Sequence, residues 1–244
     1  ARLLAHRHQS DLVLVARRKD QLMAIKTELE TQANIQCQVI AADLSIATDV
    51  KRVLTESIES GEIYGVILNA GITHFGKHLE LDWSMFEKLM ATNITSTVQL
   101  INLFTPYLIT QGKQGGIMLV SSMAGLLPVP FQSAYAGSKA FITNFALSLN
   151  EELREEPISL TVFSPGGIDT AMTRNSGLRY FANTTFMQDA VSCAQDGLDA
   201  MRARQTIFVP GLLNQAQLFA TRFIPRNLVT RITGLTYRKA LKSA

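Results

Sequence analysis

Tyr135 and Lys139 stand four residues apart in the stretch Tyr135-Ala136-Gly137-Ser138-Lys139, and Ser122 precedes the tyrosine by thirteen. On a helix that spacing puts phenol and ammonium on one face, close enough to interact. A tyrosine with a reference pKa near ~10 is a poor acid–base group at neutral pH. A neighbouring ammonium favours the phenolate. Lowering the pKa by about three units takes roughly 4 kcal/mol, which two positive charges in a dry cleft can supply. Pairs of this kind also arise by chance on many helices. What raises this one is its place directly after an apolar run tipped by Ser121-Ser122.

Other polar groups follow other apolar runs. Arg17 and Arg18 close the run 11–16, and Ala16 stands where an acidic side chain would grip a ribose hydroxyl. A guanidinium there suits a phosphate, by charge and by its forked donors. Two solvated arginines at a loop would look the same. Asp43, followed by Leu44, ends the run 36–41; its carboxylate can accept from an amino group or cap a helix starting near Ala47. Asn69-Ala70-Gly71 ends the run 64–68 and lets something flat approach the backbone, though the same tripeptide makes an ordinary turn. Ser164-Pro165-Gly166-Gly167-Ile168-Asp169-Thr170 forces a tight turn that presents backbone amides and a hydroxyl.

These residues need a scaffold that brings strand ends together. Apolar runs at 11–16, 36–41, 64–68, 116–121, 158–163 and 206–209 lack clean alternation, as strands covered on both faces do. Helical patterns lie between them, near 19–31, 48–59, 82–109, 133–153 and 188–203. Alternation at this spacing predicts right-handed crossovers and one parallel sheet with helices on both faces. Ligands of such sheets sit outside the carboxyl ends of the strands, which is where the polar groups fall.

The bulk numbers agree with a large core: 244 residues, 47% hydrophobic and 18% charged. Cys37 and Cys193 lie far apart and match no metal spacing. They read as buried thiols of a reducing compartment. No leader-like pattern opens the chain and no apolar run nears 18 residues, so neither a signal peptide nor a spanning helix is read. The net charge of +3 is unevenly spread: from residue 200 onward there are eight basic residues and no acidic one. An acidic body with a basic tail does not suit nucleic-acid binding.

Taken in order, Asp43, Asn69-Ala70-Gly71, Asn93, Ser122, Tyr135 with Lys139, and Pro165-Gly166-Gly167 with Thr170 resemble the short-chain dehydrogenase/reductase family over roughly residues 1–210. The resemblance implies an α/β fold, a Rossmann-type doubly wound parallel sheet, and an interconversion of alcohol and carbonyl. Tyr135 would be the general acid–base group and Ser122 would donate to the substrate oxygen, with Ser121 as the fallback. Lys139 would hold the nicotinamide ribose and depress the tyrosine pKa. Asn93 would support a water relaying protons through Lys139. Asp43 and Leu44 would meet the adenine, and Asn69 would brace the sheet beside Ala70 and Gly71. Pro165, Gly166, Ile168 and Thr170 would face the nicotinamide end. Arg17, with Arg18, matches the position that faces the 2′-phosphate, which implies NADP(H). Two departures stand out. The family's TGxxxGxG turn is absent, and Leu68 replaces a polar residue before Asn69. The resemblance therefore implies about 15–20 residues ahead of Ala1, a strand and a phosphate loop. Residues 171–190 would form a mobile substrate loop, and 82–109 and 133–153 would pair subunits in a homodimer or homotetramer.

The implied activity is an NADP(H)-dependent interconversion of carbonyl and secondary alcohol on a hydrophobic, lipid-like substrate in the cytoplasm. The alternatives are a 3-oxoacyl thioester reductase and a non-catalytic NADP-binding regulator. His74 and His78 are four apart but lack a third ligand, so a loop and helix start is the plain reading. His6 and His8 read as a turn before the first strand, and Trp83 as helix packing at a pocket rim. Residues 211–244 form a helical extension. Phe219, Phe223, Leu228, Ile232 and Leu235 recur at helical spacing around Pro225, and Arg231, Arg238 and Lys242 share a polar face. That pattern suits peripheral membrane contact, an anionic substrate handle, or packing on the body.

Overall fold

The computed structural model describes residues 1–59, 61–170, 173, 180 and 187–242. Helix α1 (Arg2–His8) leads into β1 (Leu12–Ala16), α2 (Lys19–Ala33), β2 (Cys37–Ala41), α3 (Ala47–Glu59) and β3 (Gly65–Leu68). Then come α4 (Trp83–Met90), α5 (Ser96–Gln111), β4 (Gly116–Val120), α6 (Ser133–Glu152) and β5 (Ser159–Phe163). Short strands β6 (Gly167–Ile168) and β7 (Met187–Gln188) precede the helix Ala190–Arg202 and β8 (Ile207–Phe208). Two tail helices, Leu212–Thr221 and Arg226–Lys242, follow. Each of the six expected strands forms where the apolar runs lie.

The chain has the expected Rossmann-type α/β fold, parallel strands with helices on both faces, and its described strands fall into three ladders. Strands β3, β4, β5 and β8 make one parallel ladder, β1 and β2 a second, and β6 and β7 a small third. Among the described residues no ladder joins β1 to β3, so side chains rather than hydrogen bonds unite the two main sheets. Val13 and Val15 pack into the same cluster as Ile40, Val50, Val53, Ile117, Leu119, Leu160 and Val162. Strand β4 shows how helices cover both faces. Ile117 and Leu119 face the α5 and α6 side chains Phe104, Leu108 and Ile142. Met118 joins Phe163 and Cys193 on the opposite side, as a period of two requires.

The expected helix 82–109 runs continuously from Trp83 to Gln111 but changes its winding midway. Between α4 and α5 the backbone makes a π-helical passage, Ala91–Thr95, and Asn93 lies inside it. Such wide turns recur at functional sites. His6 and His8 do not lie in a turn; they end α1, where positive charge complements the carboxyl end of a helix. Trp83 is largely exposed and stacks on Phe86 at 4.9 Å between ring centroids.

Candidate active site

The end of β4 places two hydroxyls in opposite directions. Ser121 is buried, donates to the Lys139 carbonyl at 3.2 Å and lies 2.6 Å from the Thr143 hydroxyl, so it fastens the strand to α6. Ser122 Oγ accepts from the Ala124 amide at 3.1 Å, and its hydroxyl lies on the Tyr135 side of the turn, where it favours the phenolate. The turn between them sits tightly on α6. A Cβ on Gly125 would lie 2.8 Å from the Lys139 backbone carbonyl, a separation no side chain tolerates. Met123 N–H donates to the Pro165 carbonyl at 2.8 Å, tying this turn to the loop after β5.

Tyr135 and Lys139 share a face of α6, and the ammonium lies 5.8 Å from the tyrosine ring centroid. Lys139 Nζ donates to the Val120 carbonyl at 2.8 Å. Burial lowers its pKa to about 8. Tyr135 moves the opposite way from the expected depression: burial around its hydroxyl pushes it up, and the nearby Ser122 hydroxyl offsets this only in part. Desolvation of a phenolate outweighs an ammonium that points at a backbone carbonyl.

Asn93 is buried, and both ends of its amide are hydrogen-bonded. Its Oδ1 accepts from Ile72 N–H and its Nδ2 donates to the Ile72 carbonyl, both at 2.9 Å. Nδ2 also donates to Ser138 Oγ at 3.0 Å, and Ser138 donates to the Tyr135 carbonyl at 2.7 Å. The side chain thus clamps the segment after Gly71 to the helix that carries Tyr135. A Cβ on Gly71 would meet Asn93 Oδ1 at 3.4 Å and Lys139 Nζ at 3.5 Å, so Gly71 joins this cluster.

The remaining expected residues divide. Asp43 accepts from Ser45 N–H and Oγ at 3.0 and 2.7 Å. These bonds, ahead of the more distant Lys88 and Arg17 charges, hold its carboxyl below the usual range. It closes an Asx turn before α3 rather than capping the helix directly, and Leu44 packs on the core. Arg17 and Arg18 are exposed, and among the described residues neither makes an ion pair. Asn69 is exposed, and its side chain makes no hydrogen bond among the described residues. Ala70 is exposed next to it. Ile168 pairs with Gln188 across β6 and β7, and the Thr170 hydroxyl lies 3.3 Å from that of Thr173. The expected mobile loop falls mostly on residues 171–172, 174–179 and 181–186, outside the described residues.

Three contributors escaped the sequence reading. Asn214, buried in the first tail helix, presses its amide against Gly166, where a Cβ would come within 2.7 Å. Gln132 Nε2 donates to Thr73 Oγ1 at 3.0 Å, closing one wall. Tyr237 of the second tail helix meets Phe75 edge-on at 6.1 Å and interacts electrostatically with Tyr135. Ser138, inside the tyrosine–lysine motif, was visible without a role. Asn214 and Tyr237 lie on segments whose docking no local pattern announces.

Lys139 offers three donors and uses one on Val120 among the described residues. A buried ammonium with spare donors beside Gly71 and Ser122 suits the hydroxyls of a ribose, so the residues present fit the nicotinamide end of a dinucleotide.

The family model for the short chain dehydrogenase matches residues 1–180. The rat dehydrogenase/reductase SDR family member 7B is 30% identical over 98% of this chain and 77% of its own length. The mouse 17-beta-hydroxysteroid dehydrogenase type 3 is 28% identical over 95% of this chain and 77% of its own. Among solved structures, a short-chain dehydrogenase from Sphingobium yanoikuyae in complex with NADPH is 25% identical. It superposes with a TM-score of 0.80 and covers 91% of this chain and 86% of that one.

Proposed function

The chain belongs to the short-chain dehydrogenase family, and from that premise we propose that it is an NADP(H)-dependent reductase of a hydrophobic, lipid-like carbonyl. The observation that carries this reading is the buried Lys139 ammonium held 5.8 Å from the Tyr135 ring, with the Ser122 hydroxyl acting on the same phenol. A bound nicotinamide dinucleotide supplies the hydride. Tyr135 gives its proton to the carbonyl oxygen, and burial raises the pKa of that phenol. Ser122 donates to the same oxygen as negative charge develops there. Lys139 holds the ribose hydroxyls with its spare donors. Asn93 is a positioning residue, holding the segment after Gly71 against α6. Arg17, Arg18, Asp43, Leu44, Asn69 and Ala70 would meet the adenosine half, and Pro165, Gly166, Ile168 and Thr170 the carboxamide end. The hydrophobic substrate class draws support from the hydroxysteroid dehydrogenase relative and the NADP(H) preference from the NADPH-bound structure.

Steady-state kinetics with NADPH and a panel of hydrophobic ketones test the proposal. Tyr135→Phe should lower kcat at least about a hundredfold with NADPH binding unchanged. In the same assays Arg17→Ala should raise KM for NADPH far more than for NADH. Undiminished turnover in Tyr135→Phe would refute the catalytic assignment, and equal effects on both cofactors the phosphate assignment. A second reading, an acyl thioester reductase, draws on a cavity of about 190 Å³ between Leu126, Leu127, Pro128 and the tail residues Arg222 and Arg226. Competition by coenzyme A thioesters against ketone reduction separates the two.

A further inference from the structure

The tail beyond β8 presents an apolar stripe that the described chain does not cover. Leu212 is 84% exposed and Phe223 74%, and Phe219, Leu228, Ile232 and Leu235 are each about half exposed. The Phe219 and Phe223 rings meet edge to face at 5.3 Å, and the Arg222 guanidinium lies 6.0 Å from the Phe219 ring. This helix pair is not simply undocked. Val229 and Ala240 of the second helix are buried, Gly234 closes on Pro130, and Tyr237 meets Phe75. Its inner face is therefore seated on the body, which fixes the outer face toward solvent.

At about 100° per residue, Leu228, Ile232 and Leu235 fall within one arc, and Arg231, Arg238 and Lys242 border it on one side. Arg222, Arg226, Arg231 and Arg238 are exposed and make no ion pair among the described residues. No acidic residue occurs from position 200 onward. A second copy docking through this face would bring arginines against arginines, with no carboxylate on the tail to relieve them. An apolar stripe edged by uncompensated cations matches a bilayer surface, with acyl chains below and phosphates at the rim.

We propose that the two tail helices dock this protein on lipid bilayers with anionic headgroups, the stripe from Phe219 to Leu235 entering the acyl boundary. The docking stands apart from the catalytic reading. If that reading also holds, Tyr237 on the inner face sets the mouth of the site next to the lipid, where an apolar substrate partitions.

Co-sedimentation of the full chain with phosphatidylcholine vesicles, with and without phosphatidylserine, tests it. Binding should require phosphatidylserine and weaken with added salt. Arg231→Gln with Arg238→Gln should lower partitioning roughly thirtyfold. Phe223→Glu with Ile232→Glu should lower it at least about tenfold, with thermal melting as the check on folding. No sedimentation with phosphatidylserine vesicles overturns the proposal, as does sedimentation untouched by both pairs of substitutions. A lipid-independent change in oligomeric state caused by the Phe223/Ile232 pair, without vesicle binding by the parent, assigns the stripe to a second copy instead. Turnover plays no part in this readout, so a chain that sediments but reduces no ketone bears only against the catalytic reading.

Discussion

Lys139 carries an energetic cost that follows from its place in the site. Its pKa falls from 10.5 to about 8 because burial disfavours the charged form. Below pH ~8 the ammonium is charged in both folded and unfolded chains, and the folded state bears a penalty of about 3 kcal/mol. As pH rises through 8, the folded protein sheds this proton while the unfolded chain keeps it to about 10.5, so stability from this group rises across that window. Lys139→Met removes the titration. Urea unfolding of both proteins from pH 7 to 10 should show the variant's advantage shrinking by roughly 2–3 kcal/mol; a difference independent of pH would show that the ammonium is not desolvated. At this scale much was legible. Ser122, Tyr135 and Lys139 are held by spacing along one strand end and one helix, which sequence states directly. The sign of the Tyr135 shift was not, because it depends on how much water the folded site excludes and on Lys139 turning to Val120. Nor was the work of Asn93, whose partners Ile72 and Ser138 are 21 and 45 residues away.

The elements that hold these residues are joined by close backbone approaches, and one of them is the turn after β4 on α6. A Cβ at position 125 would meet backbone atoms of Lys139, which cannot rotate aside. Gly125→Ala should therefore cost about 1–3 kcal/mol through overpacking. Because the displaced turn carries Ser122, kcat should fall up to about a hundredfold while the chain remains folded by circular dichroism. Full kcat alongside a lowered Tm would show that the Ser122 turn does not depend on this seat. Strand and helix positions were readable because an apolar run of five or six residues bounded by polar ends has few other uses. The division of the sheet was not readable, since a ladder depends on which strand lies next to which. The π-helical passage at Asn93 was likewise hidden: residues 82–109 read as one helix because the apolar period continues through it.

At the scale of the molecule, two outward faces remain once the site is built, and they differ in chemistry. The tail face is cationic and fits a lipid surface. The α6 face is nearly neutral: Phe141 is 47% exposed, its ring stacks parallel with Phe145 at 6.1 Å, and Asn144, Ser148 and Leu149 continue the patch toward Glu152. A patch that mixes exposed aromatic rings with short polar side chains can meet its own copy across a two-fold axis without opposing like charges, which the tail face cannot do. We propose that the subunit pairing expected of residues 133–153 would use this surface, which shares no residue with the tail. A glutamate placed at the centre of such an interface is desolvated without a partner, at a cost of several kcal/mol. Phe141→Glu should accordingly weaken self-association about a hundredfold or more, read as a shift to the single-chain species in sedimentation velocity. Its affinity for vesicles measured as the single chain should match that of the parent diluted to the same state. Unaltered association in Phe141→Glu would move the interface off α6, and joint loss of association and lipid binding would show that the two faces are one.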